Sequence, residues 1–201
     1  MDAQTFFLLQ YDVVRMLADE LLLVDIADDQ LRQAPGANQH SLIWLLWHVT
    51  RWEDVSITML GQGRPQVLLA GNWVERLGCA RHDMGGLMTG EECRAFNTAI
   101  DPVAVRAYRL AVETQTRLVV ASLGDEGLDE LVPEEHFQRV LAAGVLGESE
   151  MLWLERFLRC RSRGWWLSSI IWYQSAYLLG EVAFIRQQMA LPAQPFPFNP
   201  G

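Results

Sequence analysis

The sequence predicts an all-α chain, a four-helix bundle with long crossover connections that carry short extra helices. Three observations predict it. Apolar residues recur three and four apart through four long stretches. No short alternating runs bounded by turn residues mark strands. The second and third connections are too long for up–down hairpins, which points to crossovers. The chain has 201 residues, 50% of them hydrophobic and 20% charged. That is enough to bury one core, so residues 1–191 are expected to form a single domain and the proline-rich 192–201 a tail.

The first helix is expected over 4–27, where Phe7, Tyr11, Val14, Ala18 and Leu21 line one face. The turn-prone Ala34-Pro35-Gly36-Ala37-Asn38 ends it. The second is expected over 41–60, with Ser41 as N-cap. Leu45, His48, Trp52, Val55 and Met59 form its stripe, and Gly61-Gln62-Gly63-Arg64-Pro65 stops it. The third opens on Asp101-Pro102, a cap followed by a proline whose missing N–H costs nothing there. Val105, Tyr108, Val112, Val119 and Leu123 line its face, and Gly124 closes it. The fourth covers 165–189, with Leu167, Ile171, Gln174, Leu178, Val182, Ile185 and Met189 as its stripe. The connection 61–100 holds a short piece near Trp73 and a capping box from Thr89 to Glu92. The next connection holds an extra helix over 149–161.

The formal net charge is −9, which disfavours nucleic-acid binding. All 16 cationic residues are arginine. Three cysteines, Cys79, Cys93 and Cys160, lack paired spacing and fit a reducing cytoplasm. The opening MDAQTFF has no basic stretch and is expected not to be a signal peptide. The charge-free stretch 164–180 contains Ser168, Ser169, Gln174 and Ser175, and falls short of the ~20 apolar residues of a membrane span. It reads as a buried helix. No phosphate-binding glycine loop and no nucleophile elbow is present.

His48 is the residue that draws most attention. A lone histidine on an apolar stripe is either a core residue with satisfied nitrogens or a metal ligand or general base, since imidazole titrates near neutrality. Cys79 and His82 form a C-x-x-H pair with no second pair at finger spacing. His40 is expected to be exposed, and His136 to lie in a polar loop. Glu53 and Asp54 read as a solvated edge, paired with Arg51, unless they turn inward. Trp44, Trp47 and Trp52 crowd the second helix, and Trp165, Trp166 and Trp172 the fourth. They serve packing, or wall a pocket for a small apolar ligand with His48 and Gln174 as polar groups.

The stretch NQHSLIWLLWHVTRWEDVSITMLGQGRP, with His48 followed by Glu53-Asp54, resembles the second-helix signature of the DinB/YfiT-like superfamily. YQSAYLLGEVAFIRQQ resembles its fourth helix, and DPVAVRAYRLAVETQTRLVVASL its third. The resemblance implies a four-helix bundle that often holds zinc or nickel on three histidines. It also implies thiol-dependent transferase chemistry, in which the metal lowers the pKa of a bound thiol or water. Counted back from Gly180, the two further histidines fall on Gln174 and Leu178. Leucine cannot ligate a metal and a glutamine amide is a weak ligand. No cofactor is therefore expected, and zinc or nickel only with an altered ligand set that includes Glu181, Glu53 or Asp54.

The expected site is a ligand pocket of His48, Trp52, Gln174, Leu178 and Glu181, with His48 as its acid–base group. The expected ligand is a small apolar or thiol-containing molecule. A homodimer is expected, and neither nucleic acid nor membrane as partner. The alternatives are a metal-dependent thiol transferase or hydrolase with altered ligands, and a non-catalytic dimeric interaction protein.

Overall fold

A computed structural model describes the chain except residues 23, 37, 38 and 193–201, and except the side chains of 21, 22, 149, 153, 157, 158, 174 and 175. The proline-rich tail thus lies almost wholly outside the described residues. The capping and periodicity signals become four long helices. α1 runs Ala3–Leu22 and a short α2 runs Asp28–Arg32. The first helix thus ends before the predicted 27, and Asp25, at φ 57°, lies between it and α2.

α3 runs Leu42–Asp54 and continues through a π turn, Val55–Gly61. Ser41 caps it by accepting from Trp44 N–H at 3.2 Å. α4 (Val67–Ala70), α5 (Trp73–Arg76) and α6 (Gly90–Ala99) occupy the first crossover. Thr89 and Glu92 form the predicted capping box of α6.

α7 runs Pro102–Asp129, capped by Asp101, whose carboxylate accepts from Val103 N–H at 2.8 Å. It breaks at Gly124 (φ 64°, ψ 177°), where the third helix was expected to end. α8 (Glu134–Ala142) and α9 (Glu148–Trp153, followed by a π turn Leu154–Leu158) fill the second crossover. The last long helix is α10 (Arg163–Trp172), a π turn Tyr173–Leu178, and α11 (Leu179–Gln188). Among the described residues a single bridge, Leu131 to Ser162, is the only β pairing.

The bundle is formed by α1, α3, α7 and α10–α11, in which α7 and α10–α11 each pack on both α1 and α3. Its core joins Tyr11 and Ala18 to Leu45 and Val49, Val105 and Val112, Ile170 and Val182. A second apolar cluster gathers Trp52, Val55 and Met59 with Met84, Phe137, Val140 and Trp166. The crossovers therefore add a core of their own on one side of α3. Every side chain from Leu42 to Leu60 is buried as a result, the mark of a helix enclosed on all faces. No helix among the described residues is long and apolar enough to cross a membrane.

Two sequence expectations change here. His136 lies not in a loop but on α8, 7% exposed, and its Nδ1 is 2.7 Å from the carbonyl of Leu60. A carbonyl only accepts, so Nδ1 carries the proton and closes the C-terminal end of α3. Arg139 adds a bond to Gly63 O at 2.6 Å. Gly63 sits at φ 63°, and a Cβ there would run into His136, so glycine is required by both backbone and space.

Glu53 and Asp54 are the second change. Both are fully buried rather than solvated. Glu53 accepts from Tyr11 O–H at 2.5 Å and Thr116 O–H at 2.6 Å. Asp54 accepts from Tyr108 O–H at 2.6 Å and from Val67 and Leu68 N–H at 2.8 and 2.9 Å. Arg51, equally buried, bonds Asp54, Tyr108, Gln66 and the carbonyl of His82. Buried charges are tolerated when paired and hydrogen-bonded in this way. The network fastens the first crossover to α3.

Candidate site at His48

His48 lies where the two apolar clusters meet, between Trp44 and Trp47 of the main core and Trp52 of the second. It is 5% exposed. Its Nδ1 is 2.6 Å from the backbone carbonyl of Met84 in the first crossover. Because that oxygen cannot donate, the proton sits on Nδ1 and the lone pair on Nε2. The hydroxyl of Tyr173 lies 2.9 Å from Nε2 and donates to it. Burial pushes the imidazole down from 6.5 to about 4, with the bond to Met84 O opposing weakly. The ring is therefore neutral at pH 7, a single tautomer held by two partners.

The imidazole also sits in an aromatic stack. His40, Trp44 and His48, each four residues from the next, stack with centroids 3.5 and 4.5 Å apart. Tyr173 and Tyr177 stack on each other at 5.0 Å and face His48 at 6.2 and 6.4 Å. Trp52 meets Tyr173 at 5.6 Å and Trp166 at 6.3 Å. Each aromatic pair adds about 0.5–1.5 kcal/mol beyond burial. Burial also raises the phenol of Tyr173 well above its ordinary value, with Tyr177 adding to it, so Tyr173 stays a donor.

Of the five residues expected in the pocket, His48 and Trp52 share Tyr173 as a common neighbour. Leu178 is fully buried in the main core. Burial lowers His40 and raises Tyr177, and the charge of the exposed Glu181 opposes the first shift and adds to the second. The side chain of Gln174 lies outside the described residues. Tyr173 and Tyr177 were not singled out from the sequence. The signal was present, since two phenols four apart share a helix face. Counting back from Gly180 along the family motif led to Gln174 and Leu178 and passed over them, and the residues 173–178 form a π turn.

His40 is half-buried against Trp44 rather than exposed. Cys79 is buried while His82 is exposed, so the C-x-x-H pair does not present its two side chains together. Among the described residues, no three His, Cys, Asp or Glu side chains gather closely enough to hold a metal ion. The described polar partners of His48 are a phenol and a carbonyl. That donor set does not fit a three-histidine divalent centre, which needs three strong protein ligands around the metal.

The fold and this site invite comparison with known proteins. No curated protein sequence matches the chain. A solved structure, a conserved protein of Enterococcus faecalis, is similar with a TM-score of 0.69 at 16% identity, covering 94% of this chain and 98% of that one. At that identity the likeness concerns the fold. The family model of the DinB superfamily matches residues 10–158, from α1 through the second crossover and including all of α3 with His48. With a match over most of its length and a bundle of the same shape, the chain belongs to the DinB superfamily.

Proposed function

We propose that this DinB-superfamily protein binds a small molecule beside His48 and uses no divalent metal there. The observation that carries the reading is the Tyr173 hydroxyl at 2.9 Å from His48 Nε2. A metal-binding histidine commonly gives its other N–H to a carbonyl, as His48 does to Met84. Here the lone pair that a metal would use receives a phenol proton instead. The thiol-transfer chemistry implied by the family resemblance would need a metal or a strong base at that lone pair. An imidazole near 4 is a weak base at pH 7, and general-base catalysis favours a pKa near the working pH. Binding is favoured over catalysis.

The ligand class follows from the same atoms. It has an apolar body that packs among Trp52, Trp166 and Tyr177, and one O–H, N–H or S–H that takes the place of Tyr173 at Nε2. Benzyl mercaptan has this form, and benzyl methyl sulfide has the same body without the donor. Tryptophan fluorescence should saturate with the first, respond about threefold more weakly to the second, and lose the difference in His48→Ala. Equal binding of both, or of neither, would sink the ligand reading. Protein purified without chelator should carry well under one equivalent of metal. One equivalent of zinc or nickel that vanishes in His48→Ala would restore the metal-dependent alternative.

A second reading concerns assembly. Phe6, Leu9, Val13 and Met16 step along the outer face of α1, each between 48% and 55% exposed. Such a stripe at helical spacing supports a homodimer. Residence in a reducing cytoplasm belongs to the same proposal, supported by the free thiols of Cys79, Cys93 and Cys160.

A further inference from the structure

A cavity of about 520 Å³ lies away from His48, between one face of α6 and the connection from α2 into α3. That volume falls in the range of small-molecule sites, about 300–1,000 Å³. Cys93, Arg94, Asn97 and Thr98 line it from α6, and Arg32 and Gln39 from the opposite wall. The α6 residues are three and four apart and share one face.

The lining is unusual in charge. The chain holds 25 acidic residues against 16 basic ones. Yet among the described residues two arginines and no carboxylate line this cavity. Cys93 adds no charge, because burial, helped by Glu92, holds its thiol above the ordinary range.

Two of the donors, Arg32 and Asn97, are also held in place. Arg32 gives one Nη2–H to the carbonyl of Ile100 at 2.8 Å, which fixes the guanidinium. Its Nε is buried with no hydrogen-bond partner. Asn97 accepts from Ser41 O–H at 2.7 Å through Oδ1. Ser41 is in turn fixed as the cap of α3. With its oxygen committed, Asn97 has its amide N–H groups, pure donors, left to offer. Thr98 spends its hydroxyl on Arg94 O at 2.9 Å. Among the described residues the wall therefore holds two arginines and an amide donor and no carboxylate.

We propose that this cavity is a binding site for a small organic anion, a carboxylate or phosphate on a molecule of metabolite size. Arg32 and Arg94 flank the anion, and Asn97 donates to it. A guanidinium fork matches the paired oxygens of either group. The site is separate from His48 and stands whether or not the reading of that site holds.

The test uses the whole chain, labelled with ¹⁵N, and two probes, inorganic phosphate and acetate, at constant ionic strength. The Asn97 side-chain amide and the Arg Nε–H signals should shift and saturate with at least one probe. Saturation by phosphate alone assigns a phosphoryl group, and by acetate alone a carboxylate. Arg94→Gln, at an exposed position, should weaken binding by about tenfold, while His48→Ala should leave it unchanged. Arg32→Gln loses the Ile100 bond and is the less clean variant, so Arg94→Gln decides. Linear, unsaturated shifts with both probes would overturn the site, as would unaltered binding in Arg94→Gln.

Discussion

His48 makes the sharpest prediction at the scale of a single residue. Its folded pKa of about 4 lies below the ordinary 6.5. Between these values the unfolded chain binds the proton and the folded one does not, so unfolding gains as pH falls. The contribution is fully present above about pH 6.5 and lost as pH drops through about 4. Its ceiling is about 3 kcal/mol, from the shift at about 1.4 kcal/mol per pH unit. Asp54, whose carboxyl is raised chiefly by burial, works in the opposite sense. The measurement is therefore the pH slope of stability in the native chain minus that in His48→Ala, from urea melts between pH 4 and 7. A positive difference is expected, and a flat one would show that His48 titrates normally. Much at this scale was legible in the sequence. His48 stood out because a polar ring sat on an apolar stripe. The fates of Glu53 and Asp54 were not legible, because their partners Tyr11, Thr116 and Tyr108 come from helices distant in the chain.

Elements declare their ends more clearly than their interiors. Ser41, Thr89 and Asp101 cap helices as their sequence contexts predict, because a cap is a bond between residues three apart or fewer. The π turns left no such mark, since their i→i+5 bonds impose no side-chain period that a short stretch can display. α8 was missed because it is short and follows Pro133. Its buried face, His136, Phe137 and Val140, is filled only by packing on the second apolar cluster and α3. Gly124 tests the reading of breaks. Its φ of 64° and ψ of 177° suit glycine, and a Cβ there would meet nothing within 4 Å. Gly124→Ala should thus cost backbone strain alone, about 1–3 kcal/mol, without loss of helix content. Circular dichroism with a thermal melt measures both. A stabilised variant would show that the break is not intrinsic to this position.

For the whole molecule, the all-α bundle with long crossovers was readable because its four stripes were long and its connections conspicuous. The second apolar cluster was not readable, because it assembles from three separate segments. The exposed stripe on α1 sets the prediction at this scale. The chain should run as a dimer by light scattering, and Leu9→Glu, at a site already 50% exposed, should turn it into a folded monomer. A native monomer at high concentration would remove the assembly reading. The crossover backbone also governs more than shape. Met84 gives its carbonyl to His48 and its N–H to Val145 of the other crossover at 3.1 Å. Arg51 holds the same strand of chain through the carbonyl of His82. The proton position on the imidazole is thus written by a backbone segment 36 residues away from it in the chain. Grafting a different segment between α3 and α7 would be a chemical edit as much as an architectural one. It would free the ring to exchange tautomers, and without the Met84 carbonyl, which favours the charged form, a ring still buried would take up its proton at a lower pH than before.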